Sequence, residues 1–269
     1  MLSAQILLGI YLLFYKKNQK SSWCKHRWIL GHRGARSLAP ENTIEAFILA
    51  MDYGADGVEF DVSLSQDGIP VVIHDRSVNR TTDKTGLVKD LSFRSLEKLN
   101  ASKLKPGFEK TKIPSLKKTL ECLPDNSVAN IELKFKGNFS ESYFIQKILE
   151  EISPHKNRLN LIISSFDARL LLILRKLDPS LVLSLILSPK DRYWSKALKY
   201  LSAVRPDALH ISGDLFSRFL LRLMRRAKLK VAIWTINDPK LAQKLWALGI
   251  DGIFTDQVEK IVKAIRHSP

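Results

Sequence analysis

Residues 57–74 read Gly57-Val-Glu59-Phe-Asp61-Val-Ser-Leu-Ser-Gln66-Asp67-Gly68-Ile-Pro70-Val-Val-Ile-His74. Two β-rich runs lie here, Gly57–Ser63 and Pro70–His74, with only a short turn containing Gln66-Asp67-Gly68 between them. A parallel crossover needs a dozen or more residues, so this pair must be an antiparallel hairpin. Glu59 and Asp61 are two apart on the first run, so their side chains point the same way.

Outward from this stretch, short β-rich runs alternate with helical ones. Strands are expected at Trp28–His32, Gly57–Ser63, Val128–Lys134, Leu159–Phe166, Leu181–Leu187, Ala208–Ser212, Lys230–Ile236 and Gly252–Thr255. Helices are expected near 43–53, 115–123, 140–152, 167–177, 191–203, 214–227, 238–247 and 256–267. Eight such pairs predict an α/β fold, a closed (β/α)8 TIM barrel over residues 28–267. Pro70–His74 falls outside that count. It opens an insertion of about residues 65–113 after the second barrel strand, placed over the C-terminal mouth where barrel enzymes keep their active sites.

The chain has 269 residues, 45% of them hydrophobic and 26% charged, which suits one large folded barrel rather than a disordered chain. Its formal net charge of +16 favours anionic partners: phosphate substrates, nucleic acid or an acidic lipid surface. No interleaved aromatic and basic pattern points to nucleic acid. Cys24 and Cys122 lack ligand spacing and read as ordinary thiols. Arg218, Arg222, Arg225 and Arg226 lie at helical spacing opposite Leu220, Leu223 and Met224, the pattern of a solvated outer helix face, with contact to anionic lipid as the alternative. The run Leu170–Leu174 reads as buried packing.

Residues 1–20 differ from the rest. Ala4–Tyr15 is an apolar run followed by Lys16, Lys17 and Lys20. It is shorter than the ~18–20 residues that span a bilayer, and no cleavage signal follows it. It is read as a short uncleaved anchor or interfacial segment that keeps the barrel on the cytoplasmic side of a membrane. A soluble cytoplasmic protein is the alternative.

In a small barrel, Glu59 and Asp61 face either the interior or the helix layer, and the layer cannot accept bare carboxylates. Two acids facing one interior repel and desolvate unless neutralised, and a hard divalent cation solves both problems. Glu132 supplies a third carboxylate from the next barrel strand, about 4.8 Å away. Lys134, two residues on, could bind a phosphate oxygen. In Gly31-His32-Arg33-Gly34 the glycines allow close backbone approach, and an arginine fork matches phosphate. His32 and His74, both at strand ends over the barrel mouth, suit general acid and base work near neutral pH. No Gly-x-Ser-x-Gly elbow, phosphate loop, dinucleotide fingerprint or His-Glu-x-x-His motif appears.

Taken in order, these residues resemble the glycerophosphodiester phosphodiesterase family, from about Ile29 to Ile265. The blocks are His32-Arg33-Gly34, Pro40-Glu41-Asn42-Thr43, Glu59-Phe60-Asp61, His74-Asp75 and Arg80-Thr81-Thr82. Glu132-Leu133-Lys134, Ser164-Ser165-Phe166, Trp234-Thr235-Ile236-Asn237 and Asp251 to Asp256 add support. The resemblance implies a phosphodiesterase barrel with one divalent ion, Mg2+ or Ca2+, on Glu59, Asp61 and Glu132. It implies His32 and His74 as the acid–base pair, Arg33 and Lys134 on the phosphate, and Trp234 lining the pocket for the alcohol part. Asn42 is expected to support the His32 loop. The expected reaction is hydrolysis of a glycerophosphodiester to glycerol 3-phosphate and an alcohol, by water or through a cyclic phosphate. A membrane-bound lysophospholipase D and an inactive barrel that binds anionic lipid are the alternatives.

Overall fold

The computed structural model of the protein describes residues 26–108, 111–188, 201 and 203–266. The apolar run of residues 1–20 and nearly all of the helix expected at 191–203 lie outside them.

The strands are β1 (Trp28–His32), β2 (Gly57–Leu64), β3 (Pro70–Val72), β4 (Val128–Leu133), β5 (Asn160–Ser165), β6 (Val182–Leu187), β7 (Ala208–Ser212), β8 (Lys230–Trp234) and β9 (Gly252–Thr255). All but β3 run parallel, each beside the next, and β1 pairs with both β9 and β2, so the sheet closes on itself. This is the (β/α)8 barrel the alternation predicts.

Helices Ile44–Asp52, Leu116–Cys122, Glu141–Ile152, Ala168–Leu177, Arg218–Arg226, Pro239–Ala247 and Val258–Arg266 cover its outside. Most begin where a hydroxyl or carboxylate side chain can accept an orphan backbone N–H of the first turn. Thr43, Ser115, Ser140, Asp167, Ser217 and Asp238 do so. The helix expected from residue 214 starts later, because Gly213–Leu215 winds a 3-10 turn before the Ser217 cap. Its arginines are exposed while Leu220, Leu221 and Met224 are buried, as a solvated outer face requires. In the leucine run, Leu170, Leu171 and Leu174 are fully buried, and Leu172 and Ile173 partly so.

Three apolar cores follow. The largest lies between barrel and helices and includes Phe47, Phe60, Ile131 and Phe144. A second fills the barrel interior with Trp28, Leu30, Val128, Ile162, Val182, Ala232 and Phe254. The third belongs to the hairpin and the segment after it: Val71, Ile73, Val78, Val88, Leu96, Ala101 and Ile113. That segment also holds a short helix, Phe93–Leu96, capped by Ser92, which the sequence pattern does not signal.

Hairpin pairing is antiparallel, as the turn length demands. Val62 sits opposite Val72, Ser63 opposite Val71, and Leu64 opposite Pro70. Pairing between β1 and β2 ends at His32 opposite Glu59. Above that point β3 takes over, and Ile73 donates its N–H to the Asp61 carbonyl at 2.9 Å. The next residue is His74, carried in this way to the barrel mouth.

Candidate active site

The side-chain alternation of β2 and the register with β4 decide where the acids lie. Asp61 is paired with Glu132, and Glu59 with Asn130. One carboxylate oxygen from each of Glu59, Asp61 and Glu132 lies within 4.8 Å of the others. The three residues are only 4%, 1% and 8% exposed, respectively. Burial, then the charges of Asp61 and Glu132, push the Glu59 carboxyl well above its ordinary range. Burial raises Glu132 too, against the pull of Lys134. Burial works the same way on Asp61, but the positive charges of Lys134, Arg33 and His74 outweigh it and hold that carboxyl well below its usual value. Glu59 Oε1 is buried with no hydrogen-bond partner. Three converging carboxylates, with a buried Glu59 oxygen left unpaired, fit a divalent cation.

Arg33 and Lys134 border this cluster. Lys134 Nζ is 3.3 Å from Asp61 Oδ1 and contacts Glu132 Oε1 directly. Arg33 donates its backbone N–H to Glu59 Oε2 at 3.0 Å, and its Nε lies 3.4 Å from Asp61 Oδ2. That dual contact requires a sharp turn after β1. Arg33 adopts φ +58° and Gly34 φ +80°. A Cβ on Gly34 would come within 2.7 Å of the Ala46 backbone, so only glycine fits there.

Asn42, also at φ +58°, ties the turn to the acids. Its backbone N–H donates to the Arg33 carbonyl at 3.0 Å, which is the loop support expected of it. Its side chain does more: Nδ2 donates to Asp61 Oδ2 at 2.9 Å, and Oδ1 accepts the Asp61 N–H at 3.3 Å.

Each histidine is held by an aspartate. His32 Nδ1 lies 2.7 Å from Asp256 Oδ1, and Asp256 also accepts from Asn237 Nδ2 at 3.1 Å. Burial raises the Asp256 carboxyl, but the His32 hydrogen bond and neighbouring charges outweigh this and keep it low. Ionised, Asp256 accepts a hydrogen bond from Nδ1–H and leaves Nε2 free to face the pocket. That nitrogen is 3.9 Å from Glu59 Oε2. His74 Nδ1 meets Asp75 Oδ1, likewise at 2.7 Å. Burial lowers the His74 pKa.

A charged chain braces the second pair. Arg80 donates to Asp75 at 2.6 Å and to both oxygens of Glu41 at 2.9 and 2.7 Å. Glu41 in turn accepts from Arg33 at 2.9 Å. Burial of Glu41 acts upward, yet these bonds bring its carboxyl down to about 2.

All eight predicted site residues come together. His32, Arg33, Glu59, His74, Glu132, Lys134 and Trp234 line one pocket of about 160 Å³, and Asp61 lies buried against them. Phe166 and Trp234 form an aromatic wall, with ring centroids 5.8 Å apart. Sequence reasoning left Asp256, Asp75, Arg80 and Glu41 without roles, although they stand in the quoted motifs. It missed His210 altogether, because one histidine in the apolar run Ala208–Ser212 reads as core.

Known proteins show the same arrangement of chain. A model described as the Glycerophosphoryl diester phosphodiesterase family matches residues 32–260. A Bacillus subtilis (strain 168) protein, YhdW, is 36% identical over 243 residues, 89% of this chain and 98% of its own. The glycerophosphodiester phosphodiesterase of Caldanaerobacter subterraneus subsp. tengcongensis is 33% identical over 88% of this chain and 97% of its own. Among solved structures, an Oleispira antarctica phosphodiesterase in complex with the product sn-glycerol-3-phosphate superimposes with a TM-score of 0.79 at 33% identity. That match covers 88% of this chain and 96% of the other.

Proposed function

The chain belongs to the glycerophosphoryl diester phosphodiesterase family, and from that premise we propose that it hydrolyses glycerophosphodiesters to glycerol 3-phosphate and an alcohol. The observation that carries this reading is the meeting of three buried carboxylates with two aspartate-held histidines and two cations in one pocket. In this reading residues 28–267 form the phosphodiesterase barrel, about 65–113 its insertion, and 1–20 a hydrophobic anchor or interfacial segment. Among the described residues no helix is long and apolar enough to cross a membrane.

Glu59, Asp61 and Glu132 would hold one Mg2+ or Ca2+ ion, which when bound supplies polarisation of a phosphoryl oxygen and offsets its charge. Arg33 and Lys134 bind the other phosphate oxygens. His32 and His74 move protons through Nε2: one takes the proton of the attacking oxygen, the other protonates the leaving alcohol. The Nδ1–aspartate bonds fix each ring for that task. Trp234 and Phe166 pack the organic part of the substrate.

The test is a metal-supplemented assay of the full chain on glycerophosphocholine and lysophosphatidylcholine, read by mass spectrometry. Expected is glycerol 3-phosphate from glycerophosphocholine, abolished by chelator and by His32→Ala or His74→Ala in folded protein. Full activity of either variant overturns the histidine roles. Activity confined to the lysolipid would point instead to a lysophospholipase D. Chelator-insensitive turnover would remove the metal.

A further inference from the structure

The pocket continues below the carboxylates into the barrel. Two polar side chains line it there among Ile186, Phe254 and Trp234: His210 of β7 and Asn130 of β4. Each is 1% exposed. His210 Nε2 and Asn130 Oδ1 have no hydrogen-bond partner. Leaving a buried polar atom unpaired is costly, so two of them lining one pocket are groups a ligand can satisfy.

Their chemistry narrows the ligand. The His210 ring is packed edge-on against Phe254 and Trp28, with centroids at 4.7 and 6.0 Å. Burial drives its pKa down to about 3, so the imidazole is neutral and offers one donor and one acceptor. Asn130 spends its Nδ2 on Ser164 Oγ at 3.1 Å, which leaves Oδ1 purely as an acceptor. A phosphate oxygen has no proton for Oδ1. A quaternary ammonium group has no proton to give Asn130 Oδ1 and no lone pair to accept one from His210. Hydroxyls suit both: one can donate to Asn130 Oδ1, and one can bond His210 Nε2 whichever way its proton lies.

We propose that His210 and Asn130 line a buried subsite for the hydroxyls on the glycerol part of the substrate, with Trp234 and Phe254 against its carbon skeleton. The subsite rests on the phosphodiesterase reading for its substrate, but its binding is measurable without turnover. His210 positions substrate and takes no part in proton transfer.

Calorimetric titration of the full chain in Mg2+ buffer tests it, with sn-glycerol 3-phosphate and inorganic phosphate as probes. Wild type should bind glycerol 3-phosphate more tightly than phosphate. His210→Leu should weaken glycerol 3-phosphate about tenfold, the loss of one hydrogen bond, and leave phosphate affinity unchanged. His210→Asn, which keeps a donor and an acceptor, should recover part of the difference. The metal-free His210→Leu protein should melt no lower than wild type, because an unpaired buried imidazole gives way to an apolar side chain. Unchanged glycerol 3-phosphate affinity in His210→Leu, parallel loss of both ligands, or equal affinity of wild type for the two would overturn the subsite. Absence of diester cleavage alongside intact discrimination would instead overturn the reaction and keep the subsite.

Discussion

His32 Nδ1 and Asp256 Oδ1 lie 2.7 Å apart, joining the end of the first barrel strand to the residue that follows the last. The bond spans 224 positions of chain, and barrel closure through β1–β9 pairing is what makes it. Asp256→Asn should therefore leave the barrel intact and favour the wrong ring tautomer. Steady-state kinetics on glycerophosphocholine should show kcat reduced about 100-fold or more with KM little altered. A kcat close to wild type would mean that His32 is oriented by something else.

Glu59→Gln should separate stability from function. Metal-free wild type confines three carboxylates in a buried space, and the Glu59 carboxyl is raised in the fold by burial and by its acidic neighbours. A raised carboxyl destabilises whenever it is ionised, so the metal-free protein gains stability as pH falls through the folded value. In chelator, Glu59→Gln should melt several degrees higher than wild type at pH 8, a gain of about 1–3 kcal/mol. Adding Mg2+ or Ca2+ should raise the wild-type melting temperature and move the variant little. Scanning fluorimetry distinguishes these outcomes.

Glu41 carries the opposite sign. Its carboxyl is depressed to about 2 in the fold, against an ordinary value near 4.5. The stability it contributes is full above the unfolded value and is lost as pH falls toward 2. Glu41→Gln should cost about 3 kcal/mol at pH 7 and nothing measurable at the acid end, so the two denaturation curves converge between pH 5 and 2. Curves that stay parallel would show that Arg33 and Arg80 do not hold it.

Gly34→Ala tests the turn that aims Arg33. At φ +80°, with an added Cβ 2.7 Å from the Ala46 backbone, the substitution combines strain and overlap. A loss of about 2 kcal/mol or more is expected in urea denaturation. Phosphate affinity should fall with it, because the Arg33 backbone bond to Glu59 moves.

Much of this was legible before any coordinates. Period-two alternation put Glu59 and Asp61 on one face, and the short turn containing Gln66-Asp67-Gly68 forced the hairpin. Among the described helices the ends shifted by one or two residues, except at 214, where a 3-10 turn imitates helical spacing. What stayed hidden depends on contacts across long stretches of chain. Arg80 bonds Glu41 from 39 residues away, and nothing local in either segment announces it. His210 was hidden by its surroundings, since apolar neighbours on a strand describe a packed ring and an open-faced one equally well.

The two imidazoles reach the pocket on different supports. His32 rides on the barrel itself, whereas His74 is delivered by β3, whose segment is built around its own small core from Val71 to Ile113. In the proposed reaction, half of the proton-transfer apparatus is thus mounted on a segment with a core of its own. A lineage could exchange the loops of that part, and with them the shape offered to the departing alcohol, while the carboxylates and the phosphate grip stay anchored in the staves.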